Sequence, residues 1–405
     1  MDLRDDGRSL HPDLVELRRA LHREPEVGLD LPRTRDRVLT ALRGLPLEIH
    51  RGESTSSVTA VLRGGARREE DAPVVLLRGD MDALPVAESS GEDFAAETGT
   101  MHACGHDLHT AALTGAAQLL AGHRDRLAGD VVFMFQPGEE GWDGAGRMID
   151  EGVLTAAGRR ADHAYGLHVF SNRMPKGVVT TRPGVFMSAS HALDVTVRGA
   201  GGHGSNPHTA RDPVAAAAEM VTSLQTMVTR RFDVFDPVVL TVGVVRAGTR
   251  RNVIPDTAQF EATVRSFSDA HAEQLPQLVR EVCAGVAAAH GVHAEVTWHD
   301  EYPRTVNDAG EVGFAQQVCS ELLGEERFAI APDPVSGSED FSRVLRAIPG
   351  AFLGVGACPD GVDPAAAPMN HSPLARFDDG VLGDAAALYA SLATARLAPV
   401  EGVSA

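Results

Sequence analysis

The 405-residue chain is 43% hydrophobic and 23% charged, too apolar for a disordered polymer and long enough for two or three domains. With 56 acidic against 37 basic side chains and no basic cluster, its net charge of -19 argues against nucleic acid and anionic lipid as partners. No apolar stretch approaches the ~20 residues of a bilayer span, and residues 1–13 (MDLRDDGRSLHPD) are charged with no apolar signal segment, so the expected compartment is the cytoplasm.

Apolar runs at 74–77, 131–135 and 164–167 predict strands, each followed by a polar or glycine-containing turn. Between them, helices are expected at 108–121, with Asp107 as its cap, and at 144–154. This is the rhythm of a sheet covered by helices. Near Phe186 it changes. His191, Leu193, Val195 and Val197 alternate with polar residues, which predicts a half-buried strand at 190–198. Asp212 and Pro213 then open a helix with Val214, Ala217, Ala218, Val221, Leu224 and Val228 on one face. Strands follow at 238–245 and 257–267, the latter with Ala258, Phe260, Ala262 and Val264 on one side. A second helix is expected to end at His290 before Gly291, with Pro276 delaying or kinking it, and a strand at 293–299 closes the set. The order βαββαβ is that of a ferredoxin-like module. A strand at 351–355 and a helix at 379–397 resume the first pattern. The expected architecture is an α/β domain of residues 1–185 and 301–405, its sheet covered by helices, interrupted by a ferredoxin-like insertion at 186–300.

Ligands of open α/β sheets collect at the carboxyl ends of strands. Asp80 and Asp82 stand there in RGDMDALP, Glu139 and Glu140 in QPGEEG, His168 in GLHV, and His371 in MNHSP, while Cys104 and His106 lie in MHACGHDLH. Any one of these has a bland reading as a surface or hydrogen-bonded residue. Together they point to a metal centre, because thiol and carboxylate groups gathered in one place repel each other unless a cation neutralises them. Other chemistries drop out. Lys176 is the only lysine and matches no Schiff-base, P-loop or kinase motif. Gly199, Gly201 and Gly204 spell a dinucleotide fingerprint, but residues 205–211 separate them from the helix they would have to open. A serine-nucleophile elbow is absent. The four cysteines, far apart in sequence, read as reduced thiols.

In order, the motifs GDMDALP, HACGHD, QPGEEG, GLHV, GGHGSNPH, NVIPD, GSEDF and NHSP resemble the co-catalytic metal peptidases and aminoacylases, and most of all their amidohydrolase branch of hippurate, N-acyl amino acid and auxin-conjugate hydrolases. The resemblance implies a mixed-sheet catalytic domain with an inserted lid or dimerisation domain. It implies two divalent ions, of zinc, manganese, nickel or cobalt, held by Cys104 as the bridge with His106, Glu140, His168 and His371. Glu139 would be the catalytic carboxylate, taking a proton from water and passing it to the departing amine. His203, acting on the partner subunit's site, would help stabilise the oxyanion, which implies a homodimer or higher oligomer. Asn252 and Arg265 would hold the substrate carboxylate, with Arg250 and Arg251 as alternatives and a surface pair with Glu261 as the competing reading of Arg265. Asp80 and Asp82 would orient ligands, and 337–340 would line the mouth. Trp142, Asp143, Ser205 and Asn206 depart from the branch's usual residues beside the expected pocket. The implied reaction is hydrolysis of an N-acyl amino acid to a carboxylic acid and an amino acid. A dipeptidase or carboxypeptidase is the alternative. A non-catalytic binding protein is less favoured, since a ligand cage alone needs no Glu139.

Overall fold

The computed structural model describes residues 2–66 and 72–398. They divide into two compact units: one holds the chain up to Phe186, Val306–Asp333 and the chain from Asp340 onward, and the other holds Met187–Thr305 with Pro334–Glu339. No helix among the described residues is long and apolar enough to cross a membrane.

The first unit is built on an eight-stranded mixed sheet. From edge to edge its strands are Leu47–Arg51, Val58–Leu62, Asp130–Gln136, Val74–Asp80, His163–Phe170, Gly350–Gly356, Val179–Thr181 and Phe328–Ile330. The four central strands run parallel, which sends all their carboxyl ends to one side. Their residues are buried almost throughout, the continuous apolar pattern of a sheet covered on both faces. Helices Leu3–Arg23, His106–Gly122, Ala309–Leu323 and Leu382–Arg396 pack on one another around this core.

Helix His106–Gly122 corrects one sequence expectation. Its N-cap is Gly105 in the left-handed region, and Asp107 lies inside the first turn, fully buried. The Asp107 carboxylate accepts His22 Nδ1–H at 2.7 Å and forms an ion pair with the Arg18 guanidinium, whose Nε is 2.7 Å away, so a residue expected to cap its own helix instead ties that helix to Leu3–Arg23. The expected 144–154 helix is shorter, an α-helix at Gly144–Asp150 followed by a single 3-10 turn at Val153–Thr155.

A second buried polar junction joins chain segments on either side of the inserted unit. Glu311 accepts from His163 Nδ1 at 2.9 Å, from Arg396 Nη2 at 2.6 Å and from the Tyr165 hydroxyl. Burial opposes ionisation of Glu311, but these three donors outweigh it and hold its pKa below the ordinary value. A carboxylate shifted in this direction contributes stability that is complete above its unfolded pKa of ~4.3 and is lost as pH falls through the lower folded value. Glu311→Gln is therefore expected to cost about 1.5–3 kcal/mol at pH 7, with the gap from wild type closing below pH ~4. Urea midpoints measured from pH 7 to pH 3 check this, and a constant gap would refute it.

The second unit has the four-stranded antiparallel sheet Val238–Ala247, Thr257–Ser266, Ala189–Arg198, His293–Tyr302, with helices Pro213–Arg231 and Asp269–His290 on its apolar face. Asp212 caps the first helix by accepting Val214 N–H, and Gly291 ends the second in the left-handed region. Helix Asp269–His290 runs unbroken through Pro276, contrary to the expected delay. The buried face of Pro213–Arg231 is Ala216, Ala217, Met220, Leu224 and Met227, whereas Val214 is exposed. The expected stripe holds at Ala217 and Leu224 and at its edge in Val221 and Val228, which pack against the core, while Val214 and Ala218 are exposed and the two methionines fill the core instead.

Candidate active site

The site gathers at the carboxyl ends of the parallel strands. Asp80 ends strand Val74–Asp80, His168 lies near the end of His163–Phe170, and Glu139 and Glu140 follow Asp130–Gln136 in a tight turn. Gly138 and Gly141, with φ of 71° and 86°, bracket the two glutamates and supply a backbone conformation that a side chain would strain. Asp82 clamps the turn from below: its two carboxylate oxygens accept the N–H groups of Glu139 at 3.0 Å and Glu140 at 3.1 Å.

Five side chains converge. Cys104, His106 and His168 present donor atoms all within 4.8 Å of one another, and so do Cys104, Glu140 and His371. The two triads share the Cys104 thiol. Glu139, with Glu140 and His106, forms a third such group. The imidazoles are oriented by their other nitrogens: His106 Nδ1 donates to the Asp82 carbonyl at 2.9 Å and His168 Nδ1 to the Val169 carbonyl at 2.8 Å, which turns each Nε2 toward the cluster. His371 Nε2 stands 3.1 Å from Glu140 Oε1, on a backbone held at a φ of 71°.

Electrostatics follow from this crowding. Burial disfavours charge on Glu140, but His371 and His106 together hold its pKa down. The Cys104 thiol and the Glu140 carboxylate draw His371 up to about 10. Burial, reinforced by His109, pushes His168 well below the ordinary range, so it is a neutral donor. Asp80 is fully buried; the Arg78 guanidinium, 2.8 Å away, outweighs that burial and keeps it ionised, and His109 Nδ1 donates to it at 2.5 Å.

The second unit holds His203, Asn252 and Arg265. The short strand Gly202–His203 pairs with Val253–Ile254, and Gly204 N–H donates to the Asn252 carbonyl, so His203 and Asn252 are neighbours. His203 Nδ1 accepts Ser205 N–H at 3.0 Å, which puts its proton on the exposed Nε2. Arg265 lies near the opposite end of strand Thr257–Ser266, whose first residue pairs with Arg198, just before the His203 loop. Eight residues of strand, roughly 25 Å, separate the two regions within one chain. Arg265 bonds Thr263 and the Val264 carbonyl, while Glu261 is taken by Arg246, which removes the surface-pair reading.

The sequence model of peptidase family M20/M25/M40 matches residues 76–395. The chain belongs to this family. It is 37% identical to the IAA-amino acid hydrolase ILR1-like 2 of Arabidopsis thaliana over 94% of this chain and 84% of the relative. It is 34% identical to the N-acetylcysteine deacetylase of Bacillus subtilis (strain 168) over 95% and 97%. Among solved structures, the Bacillus subtilis YXEP protein, described as a dinuclear metal binding peptidase of the M20 family, superposes with a TM-score of 0.80 at 31% identity, covering 96% of this chain and 99% of that one.

The family's metal dependence can be tested on this enzyme's own atoms. His106 Nε2 and Glu140 Oε1 lie 4.0 Å apart and buried, with Asp80 Oδ2 3.4 Å from the first and His371 Nε2 3.1 Å from the second. Thiol, imidazole and carboxylate donor atoms are crowded within 4.8 Å of one another, and a cation among them would neutralise that crowding. A thiol, imidazoles and carboxylates form a donor set that suits a borderline divalent ion. The residues fit the group.

Sequence reasoning missed what lies beneath. Arg78, fully buried, donates to Gln136, Asp80 and Asp340, and Asp340 also accepts from Gln136 and from the Ala145 N–H. Asp340, expected at the mouth, is thus buried under the site. The available signal was one arginine in an apolar strand, VVLLRGD, which cannot be buried without anionic partners.

Proposed function

We propose that this enzyme hydrolyses the amide bond of N-acyl amino acids or related conjugates, releasing a carboxylic acid and an amino acid, with Cys104, His106, Glu140, His168 and His371 holding two divalent ions. The observation that carries the reading is the pair of donor triads sharing the Cys104 thiol, with the Glu139 carboxylate beside them. When bound, the ions supply Lewis acidity, polarising the scissile carbonyl and acidifying water. Glu139 accepts the proton of the attacking water at its carboxylate and returns it to the amide nitrogen as the amine departs. The clamp by Asp82 fixes where that proton is held, and the near-complete burial of Glu139 keeps bulk water from competing. His203 Nε2–H donates to the oxyanion, and Arg265 and Asn252 bind the substrate carboxylate.

The strand separating His203 from Arg265 supports a dimeric enzyme, because one small substrate cannot span roughly 25 Å. In this reading each site takes Arg265 from one chain and His203, with its neighbour Asn252, from the partner of the chain that supplies Glu139. Mixing His203→Ala chains with Glu139→Gln chains is then expected to restore part of the activity that each lacks alone, since some mixed dimers carry one intact site. Mixtures that stay inactive after subunit exchange is verified would overturn the geometry.

A peptidase is the second reading, favoured by the description of the YXEP protein as one. Metal-stripped enzyme reloaded with zinc, manganese, nickel or cobalt and assayed on hippurate, N-acetyl amino acids and dipeptides separates the two. The expected result is a kcat/KM for the N-acyl amino acids at least tenfold that for dipeptides; the reverse preference would replace the first reading with the second.

A further inference from the structure

Asn370 immediately precedes His371, yet neither the donor triads nor the proton-transfer path uses it. Its side chain makes five polar contacts beside the cluster. Oδ1 accepts the Ser171 N–H at 3.0 Å and faces the Ser171 hydroxyl at 3.0 Å. A backbone N–H can only donate, so this contact fixes which end of the amide is oxygen. Nδ2 must therefore point the other way, where it meets the Val169 carbonyl at 3.0 Å, the Cys104 carbonyl at 3.3 Å and Cys104 Sγ at 3.7 Å. Two N–H bonds serve three acceptors: one is taken by Val169, and the other is shared between the carbonyl and sulfur of Cys104.

These acceptors are not incidental. The Val169 carbonyl also receives the His168 Nδ1 proton at 2.8 Å, the bond that aims His168 Nε2 at the cluster, where it stands 3.4 Å from Cys104 Sγ. The next residue, His371, is pinned by its own N–H to the Ala103 carbonyl at 2.8 Å. One primary amide thus links three of the five proposed metal donors: Cys104 by direct contact, His168 through a shared carbonyl and His371 through the chain.

We infer that Asn370 is a positioning residue that donates an N–H···S hydrogen bond to the Cys104 thiolate, setting where the bridging sulfur sits and how much charge it gives to the two ions. The inference rests on the metal reading above. A hydrogen bond to a metal-bound sulfur withdraws electron density from it and stabilises its lone pairs, as at other thiolate-ligated centres. Removing the bond leaves a more electron-rich and less constrained sulfur.

The test uses full-length enzyme loaded with cobalt(II), whose thiolate-to-metal charge-transfer absorption reports on sulfur directly. Wild type is expected to show this band and Cys104→Ala to lack it. In Asn370→Ala the band is expected to move to longer wavelength, with cobalt affinity, measured by competition with a chelator, falling about 10–100-fold. Asn370→Asp keeps the acceptor for Ser171 but has no N–H to give, so its band should move the same way; it carries the test where the alanine variant fails to fold. A band present in wild type and unmoved in the folded Asn370 variants would overturn the inference and leave the metal reading standing. A wild-type protein that binds cobalt without any sulfur band would overturn both, by removing Cys104 from the metal.

Discussion

Glu139→Gln is expected to lower kcat by about 10²- to 10⁴-fold, the range of a positioned general acid–base group, while the enzyme keeps its full complement of metal. The substitution preserves shape and leaves the Glu139 N–H bond to Asp82 in place, so the turn and Glu140 stay where they are. What is lost is a group that can accept a proton from water and surrender it to an amine. Elemental analysis beside steady-state kinetics decides the matter: undiminished turnover would remove Glu139 from the mechanism, and metal lost in proportion to activity would make it a ligand instead.

Cys104→Ala should do the opposite, with metal content falling first and activity following it. Both donor triads contain this sulfur, so its removal strikes both at once. The loss is expected to exceed the 10–100-fold typical of deleting a partner that merely supports a ligand. The other cysteines are the internal control. Burial pushes the thiols of Cys283 and Cys319 up to about 11, so both stay protonated among apolar neighbours, and their replacement by alanine should leave the metal in place. Unchanged metal occupancy in Cys104→Ala would rule out the bridge.

Much of this arrangement was legible in the sequence because the parts that define it have local signatures. The central strands announce themselves as short apolar runs, and the alternation through Leu193, Val195 and Val197 marks a sheet with one solvated face. The glutamate pair could be placed because glycines punctuate its turn. The features that escaped are set by partners distant in sequence. Asp107 looks like a helix cap until Arg18 and His22, some 85 residues earlier, bury it. Asp340 looks like a loop residue until Arg78 claims it from 262 positions away. The second pairing surface of Asn370 depends on Ser171 and Val169, which no periodicity connects to an NHSP motif. Hydrophobic pattern is a local code, whereas a buried ion pair belongs to the finished fold.

The sheet below the site is packed by Val75, Leu77, Val131, Phe133 and Leu353, none of which contributes a donor atom. Framework and chemistry are therefore separable in a way they are not in zinc fingers, where the ion itself supplies the folding energy. Chelation should leave an intact but dormant molecule that revives when ions return, so that metal supply becomes a throttle on its output.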